Sequence, residues 1–295
     1  MLSEGDGSAD DVASPLGRFR ELARRWGVTT SEPFETDGSL VAFGHRGADA
    51  VVLKVVKNPG DEWKSGDVLR AFGGRGVVRA LEQVEGAVLL QRLRPGISLS
   101  TVTLAGRDDE ATSVLADVIA AMAPSAPPEW CPTVGDWGRG FRWYAESGDT
   151  QVPRSLVARA ADIHAELCAS QRSPRLLHGD FQHYNVLADD DRGWVAIDPK
   201  GVVGERECEL AAALRNPADN PETFAKPDIV ARRVTLLCDR LRLDADRTLR
   251  WAYALGVLSA IWHVEDGYAV DESNVPLKLV RAVAEIVDVG LSARE

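Results

Sequence analysis

The sequence predicts an α+β chain in two lobes, a strand-rich amino-terminal lobe followed by a mainly helical one. Three observations carry this expectation. Residues 28 to 92 alternate short apolar runs with turn residues around one helical stretch. Beyond residue 105 the apolar positions recur with helical spacing, apart from one hairpin that ends near Ile197. Between the two patterns stands Arg94-Pro95-Gly96, a turn sequence at which the lobes would join. At 295 residues the chain can bury one substantial core or two modest ones. The expected division is a mobile acidic tail at 1–12, an amino-terminal lobe at 13–93 and a helical lobe at 94–295.

The elements follow in order. Met1 to Val12 is acidic, rich in Gly and Ser and free of apolar periodicity, which predicts a tail; it lacks the basic start and apolar centre of a signal peptide. Thr36-Asp37-Gly38-Ser39-Leu40 is a compact turn, and Val51-Val52-Leu53-Lys54-Val55 an apolar strand with one Lys set into it. A helix is expected to open near Glu62 and run through Phe72, and Ala87 to Leu93 reads as a further strand. The Pro-rich stretch Ala123 to Pro132 is a loop. Leu156, Ala160, Ile163, His164 and Leu167 form one helical stripe, with His164 a packed core residue. Later helices are expected at about 227–242, 245–265 and 276–291, with Pro227 and Pro276 near two of their starts.

Composition excludes several classes. The formal charge of −11 offers no basic face for nucleic acid. It suits a cationic small molecule, although acidity also serves solubility. No apolar run is long enough to span a bilayer. Cys131, Cys168, Cys208 and Cys238 are dispersed and show no C-x-x-C spacing, so neither zinc nor a disulfide framework is signalled and a reduced cytoplasmic protein is expected. Monomer or weak dimer is the expected state.

The chemistry-bearing stretch is Leu176-Leu177-His178-Gly179-Asp180, continuing through Asn185 to Asp198. This spacing is what phosphoryl transfer from ATP demands. Asp180 would accept the proton of a substrate hydroxyl. Asn185, across a short loop, would offer its carbonyl oxygen to Mg2+, and Asp198 a carboxylate to the same metal site, since magnesium prefers hard oxygen ligands. Asn185-Val186-Leu187 and Trp194-Val195-Ala196-Ile197 flank Asp189-Asp190-Asp191-Arg192-Gly193, a hairpin that would return Asp198 to the side of Asn185. His178 would orient the loop rather than act as a base.

These residues resemble the aminoglycoside phosphotransferases, which share the protein-kinase-like fold, and among them the streptomycin 6-kinase and hydroxyurea-resistance kinase group. The run Ile197-Asp198-Pro199-Lys200, followed by Glu209-Leu210 and Arg215-Asn216-Pro217, is similar to that group's pattern. So is Trp262-His263-Val264-Glu265-Asp266-Gly267, a W-x-x-E-D-G element on a late helix. The likeness covers about Ser31 to the carboxy terminus. Phe181 and Gln182 depart from residues common in the group, and both are compatible with a working loop.

The resemblance implies a bilobal kinase with ATP and Mg2+ as cofactors, its amino-terminal lobe binding nucleotide. Lys54 would neutralise the phosphates, with Lys57 a competitor; its partner would be Glu62, with Asp61 and Asp67 open. No G-x-G-x-x-G lies between Glu35 and Lys54, so the turn holding Ser39 would approach the phosphates instead, unless it is a plain hairpin. Backbone groups of Arg92 and Leu93 would meet the base, and Lys200 would act near the phosphates or support the Asp198 loop. For the acceptor, Glu265, Asp266 and Trp262 are candidates alongside Asp180, with the carboxylates receiving cationic groups or capping their helix. The implied activity is ATP-dependent O-phosphorylation of an aminoglycoside or aminocyclitol such as streptomycin. Kinases of sugars, amino sugars or other small metabolites, and a non-catalytic nucleotide sensor, are the alternatives.

Overall fold

The computed structural model describes residues 14–292, with side chains to 287. The expected tail at 1–12 lies outside the described residues. The amino-terminal lobe is one antiparallel sheet in the order Thr29–Thr30, Ser39–Arg46, Asp49–Val56, Ala87–Gln91, Ala80–Val84, with Phe34–Glu35 paired to the start of Ser39–Arg46. The two long strands pair from Ser39↔Val56 to Arg46↔Asp49. Their tight turn needs the positive φ of Gly47, +62°.

Alternation along Asp49–Val56 sets the lobe's chemistry. Val51, Leu53 and Val55 are fully buried in a small core with Phe19, Leu22 and Leu89. The intervening Val52 and Lys54 must then face the other side of the sheet. Phe19 and Leu22 belong to a helix, Pro15–Arg25, that the periodicity did not reveal. Its start was nonetheless encoded: Ser14 caps it by accepting from the Gly17 amide at 3.0 Å, and Pro15 occupies its first position.

The second helix of this lobe runs Ser65–Phe72. Glu62 therefore stands in the turn before it, not at its first residue. A three-stranded sheet, Gly193–Ala196, Val186–Asp189 and Pro95–Ser98, follows the lobe junction, and a short ladder joins Val202–Gly204 to Arg175–Leu177.

The remainder is mainly helical around Ala245–Glu265, whose Trp251, Val257, Leu258 and Ile261 are fully buried. Gly256 lets the last helix, Val275–Ser292, approach closely: a Cβ there would meet Val280 Cγ2 at 2.8 Å. The observed Pro227–Leu241, Ala245–Glu265 and Val275–Ser292 match the expected late helices within one residue at each end. His164 is a core residue of Arg154–Ala169, bonded to the Val134 carbonyl at 2.9 Å and set between Phe141 and Trp251. Among the described residues no helix is long and apolar enough to cross a membrane, and all four cysteines are free.

Candidate active site

The loop after Arg175–Leu177 is fixed by backbone bonds before any side chain acts. The amides of Lys200 and Gly201 donate to the His178 carbonyl at 2.9 and 3.0 Å. Gly179, at φ +83°, lies so near this strand that a Cβ would stand 3.3 Å from the Gly201 nitrogen. His178 is fully buried; its Nε2 lies 2.8 Å from the Ile197 carbonyl, and its Nδ1 accepts from the Asp180 amide at 3.3 Å. One ring nitrogen must donate and the other accept, which defines a neutral ring protonated at Nε2. Burial agrees, pushing its pKa down against the opposing pull of Asp180.

Asn185 ends the turn His183–Asn185, and its Nδ2 donates to the Asp180 carbonyl at 2.9 Å and to Asp180 Oδ2 at 3.2 Å. The hairpin pairs Val186 with Ala196, and the Ile197 amide donates to the Asn185 carbonyl at 2.8 Å. Asp198 thus returns beside Asn185. Its backbone sits in the left-handed region at φ +55°, a conformation costing about 1 kcal/mol for a non-glycine residue. Its Oδ1 lies 2.8 Å from Lys54 Nζ, which is also 2.9 Å from Glu62 Oε2. Burial alone would lower the Lys54 pKa, but the two carboxylates outweigh it and raise the value above normal.

Of the three carboxylates considered for Lys54, Glu62 is the one that reaches it. Asp61 instead stands 3.9 Å from Lys200, and Asp67 accepts from Gln83 at 2.6 Å and Trp130 at 3.0 Å. Lys57 pairs with Glu35 at 2.9 Å, away from Asp198.

Lys54, Glu62 and Asp198 line one side of a 460 Å³ cavity between the lobes, walled elsewhere by Val41, Val52, Leu90, Leu187 and Ile197. Its size and apolar walls suit a planar base, with charge concentrated at one end. Thr36, Asp37 and Gly38 edge it. Ser39 does not: its hydroxyl is buried and unpartnered, which corrects the phosphate-contact expectation. Arg92 and Leu93 both line the cavity. The Arg92 amide donates to the Ala50 carbonyl at 3.1 Å and its guanidinium lies 4.1 Å from the Phe43 ring, so of the two only Leu93 has an amide without a partner among the described residues. Lys200 lies outside this cavity.

Asn185 and Asp198 suit magnesium. Asn185 commits its nitrogen to Asp180, which leaves its carbonyl oxygen for a cation. Among the described residues no cluster of three or more His, Cys, Asp or Glu could hold a metal alone. A two-oxygen protein set fits an ion that takes its other ligands from phosphates and water.

Two residues whose roles sequence reasoning left unassigned support the loop. Glu209 is buried and accepts the His178 and Gly179 amides at 2.6 and 3.0 Å. Burial pushes its carboxyl up to about 7, although both bonds pull it down. Arg215 places Nη2 at 4.0 Å from Asp180 Oδ1. Both belong to runs noted in the sequence, but only packing of the helix Arg206–Leu214 against the loop gives them their roles.

Trp262 lines a recess with Gly179 and Arg215 and meets Trp137 edge to face at 5.5 Å. Glu265 and Asp266 end the helix with exposed carboxylates that make no hydrogen bond or ion pair among the described residues. Capping is done by the backbone, with the Asp266 amide donating to the Trp262 carbonyl at 2.9 Å and Gly267 at φ +82°.

Comparison with known proteins agrees with this geometry. The chain is 33% identical over 250 residues to streptomycin 3''-kinase of Klebsiella pneumoniae, covering 82% of this chain and 91% of that protein. It is 33% identical over 294 residues to hydroxyurea phosphotransferase of Kitasatospora aureofaciens, covering 92% and 78%. Solved structures share the fold: aminoglycoside phosphotransferase APH(4)-Ia with TM-score 0.63 at 18% identity over 92% of this chain and 98% of that one, and choline kinase LicA from Streptococcus pneumoniae with 0.59 at 13% over 92% and 98%. The model of the aminoglycoside/hydroxyurea antibiotic resistance kinases matches residues 25–267. The chain belongs to that family, and its fold is protein-kinase-like.

Proposed function

We propose that this kinase transfers a phosphoryl group from ATP, with magnesium, to a hydroxyl of a cationic aminoglycoside or aminocyclitol of the streptomycin type. The observation that carries it is the meeting of Lys54, Glu62 and Asp198 at one end of a cavity sized for a nucleotide, with the hairpin bringing Asn185, and through it Asp180, to the side of Asp198. Residues 13–93 would supply the nucleotide walls and 94–295 the catalytic loop and acceptor site, in a protein working in the reducing cytoplasm.

Little covalent chemistry falls to the protein in such a transfer; it positions reactants and stabilises charge. Lys54 holds the phosphates, and Glu62 fixes the Lys54 ammonium. Asp180 orients the acceptor hydroxyl and receives its proton. Asn185 keeps one oxygen of Asp180 in place while presenting its own carbonyl, with Asp198, to the metal. Magnesium, when bound, supplies neutralisation of the negative charge that spreads over the phosphoryl oxygens. Glu265 and Asp266, exposed and without a hydrogen-bond or ion-pair partner among the described residues, are available to guanidinium or ammonium groups of the acceptor.

The test is incubation with magnesium-ATP and a panel headed by streptomycin, then other aminocyclitols, amino sugars and neutral sugars, read by mass spectrometry for an added phosphoryl group. Transfer to streptomycin supports the proposal. Transfer only to a neutral sugar would replace the acceptor class, and ATP binding without transfer to any acceptor would point to a sensor.

A further inference from the structure

A second cavity, 320 Å³, opens between the lobes and shares no lining residue with the nucleotide cavity. Three indoles line it, Trp63, Trp130 and Trp137, together with three cations, Lys64, Arg139 and Lys200. It is tied to the catalytic loop. Lys200 and Gly201, on its wall, donate their amides to the His178 carbonyl, and Gly201 backs against Gly179, the residue before Asp180. Trp137 also lines the recess that holds Gly179 and Arg215, so the walls run on from Arg215, the neighbour of Asp180, into the cavity.

Its electrostatics are the reverse of what a polycation would select. Asp61 is the lone carboxylate of the lining, and it stands 3.9 Å from Lys200. Among the described residues Lys64 has one ion-pair partner, Glu85 at 3.9 Å, and lies 5.4 Å from the Trp130 ring. Arg139 makes no hydrogen bond or ion pair among the described residues, and its charge helps the Thr133 hydrogen bonds hold the Asp136 carboxyl below its usual range. Three cationic donors would repel an ammonium or guanidinium group. Flat indole faces beside N–H donors match an uncharged, hydroxylated ring, whose C–H face stacks while its oxygens accept.

We infer that this cavity is a glycosyl subsite: a neutral sugar ring attached to the acceptor seats against its indoles, and the acceptor's cationic groups stay outside it, toward Glu265 and Asp266. The inference rests on the aminoglycoside kinase reading and says which part of such an acceptor enters between the lobes.

The experiment is calorimetric titration of the protein loaded with magnesium and a non-hydrolysable ATP analogue. The two probes are the guanidinylated aminocyclitol of streptomycin carrying its neutral sugar alone and the same aminocyclitol lacking sugars. The readout is the ratio of their dissociation constants, which cancels charge effects common to both. Trp63→Leu, which keeps apolar bulk but removes the ring and the Arg18 guanidinium stacked on it at 4.7 Å, should shift this ratio against the glycoside by about fivefold, and Trp63→Phe should restore most of it. Arg139→Ala, which gives up a charge interaction with Asp136 but no hydrogen bond or ion pair among the described residues, should shift it in the same direction and keeps the test open should Trp63→Leu fail to fold. An unchanged ratio in Arg139→Ala and in whichever Trp63 variants fold would overturn the subsite, and continued transfer by the unsubstituted enzyme would then leave the kinase reading standing. Absence of both binding and transfer in the unsubstituted enzyme would overturn the two together.

Discussion

Asn185 reaches Asp180 twice, its Nδ2 lying 2.9 Å from the Asp180 carbonyl and 3.2 Å from its Oδ2. One side chain therefore holds Asp180 and keeps an oxygen uncommitted, which in the proposed reaction would face the metal. Asn185→Asp would put a carboxylate where Asp180 now accepts an N–H. The expected result is a fall in kcat of about a hundredfold, exceeding any rise in the Michaelis constant of the acceptor, measured in steady-state assays with ATP saturating.

Lys54 bridges Glu62 and Asp198, so its removal leaves two carboxylates facing the end of the cavity proposed for the phosphates. Lys54→Met should raise the Michaelis constant for ATP by about tenfold or more while leaving acceptor binding in titrations near that of the parent.

How far these residues were legible depends on how local their contacts are. Asp180, Asn185 and Asp198 are joined by one short hairpin whose turn residues are plain in the sequence. Lys54 follows from strand alternation, because buried Val51, Leu53 and Val55 commit it to the cavity face. Its partner was harder to read, since Asp61, Glu62 and Asp67 are neighbours and only the turn before Ser65–Phe72 selects among them. Ser39 misled because a turn with a hydroxyl does not reveal which way the hydroxyl points, and strand pairing turned it inward. Glu209 and Arg215 act on the loop only through tertiary packing, which carries no local signal.

Glu209 offers a pH signature. Its folded pKa, about 7, is raised from the ordinary 4.5, so the folded protein holds this proton more tightly than the unfolded chain. The stabilising contribution is full below pH 4.5 and is lost as pH rises through about 7. Glu209→Gln does not titrate, so its stability should lack that decline, as followed by urea unfolding at several pH values. It should also lower kcat, because an amide presents one acceptor oxygen where the His178 and Gly179 amides now find two.

Arg233, 2% exposed, donates to Asp108 from Nη2 at 2.5 Å and to the Asn216 carbonyl at 2.7 Å. This buried pair ties the helix Asp108–Ala121 to the segment after Arg215. Asp108→Asn would leave the Arg233 charge without its counterion and should destabilise the fold by about 3 kcal/mol in denaturant unfolding.

The central claim is that Asp180 serves the acceptor hydroxyl in an ATP-dependent transfer. Asp180→Asn preserves shape and removes the base, so the direct measurement compares it with the parent enzyme for phosphorylation of streptomycin and for nucleotide affinity. The account predicts loss of the phosphorylated product with nucleotide binding retained within about twofold. Turnover by Asp180→Asn close to that of the parent would contradict it.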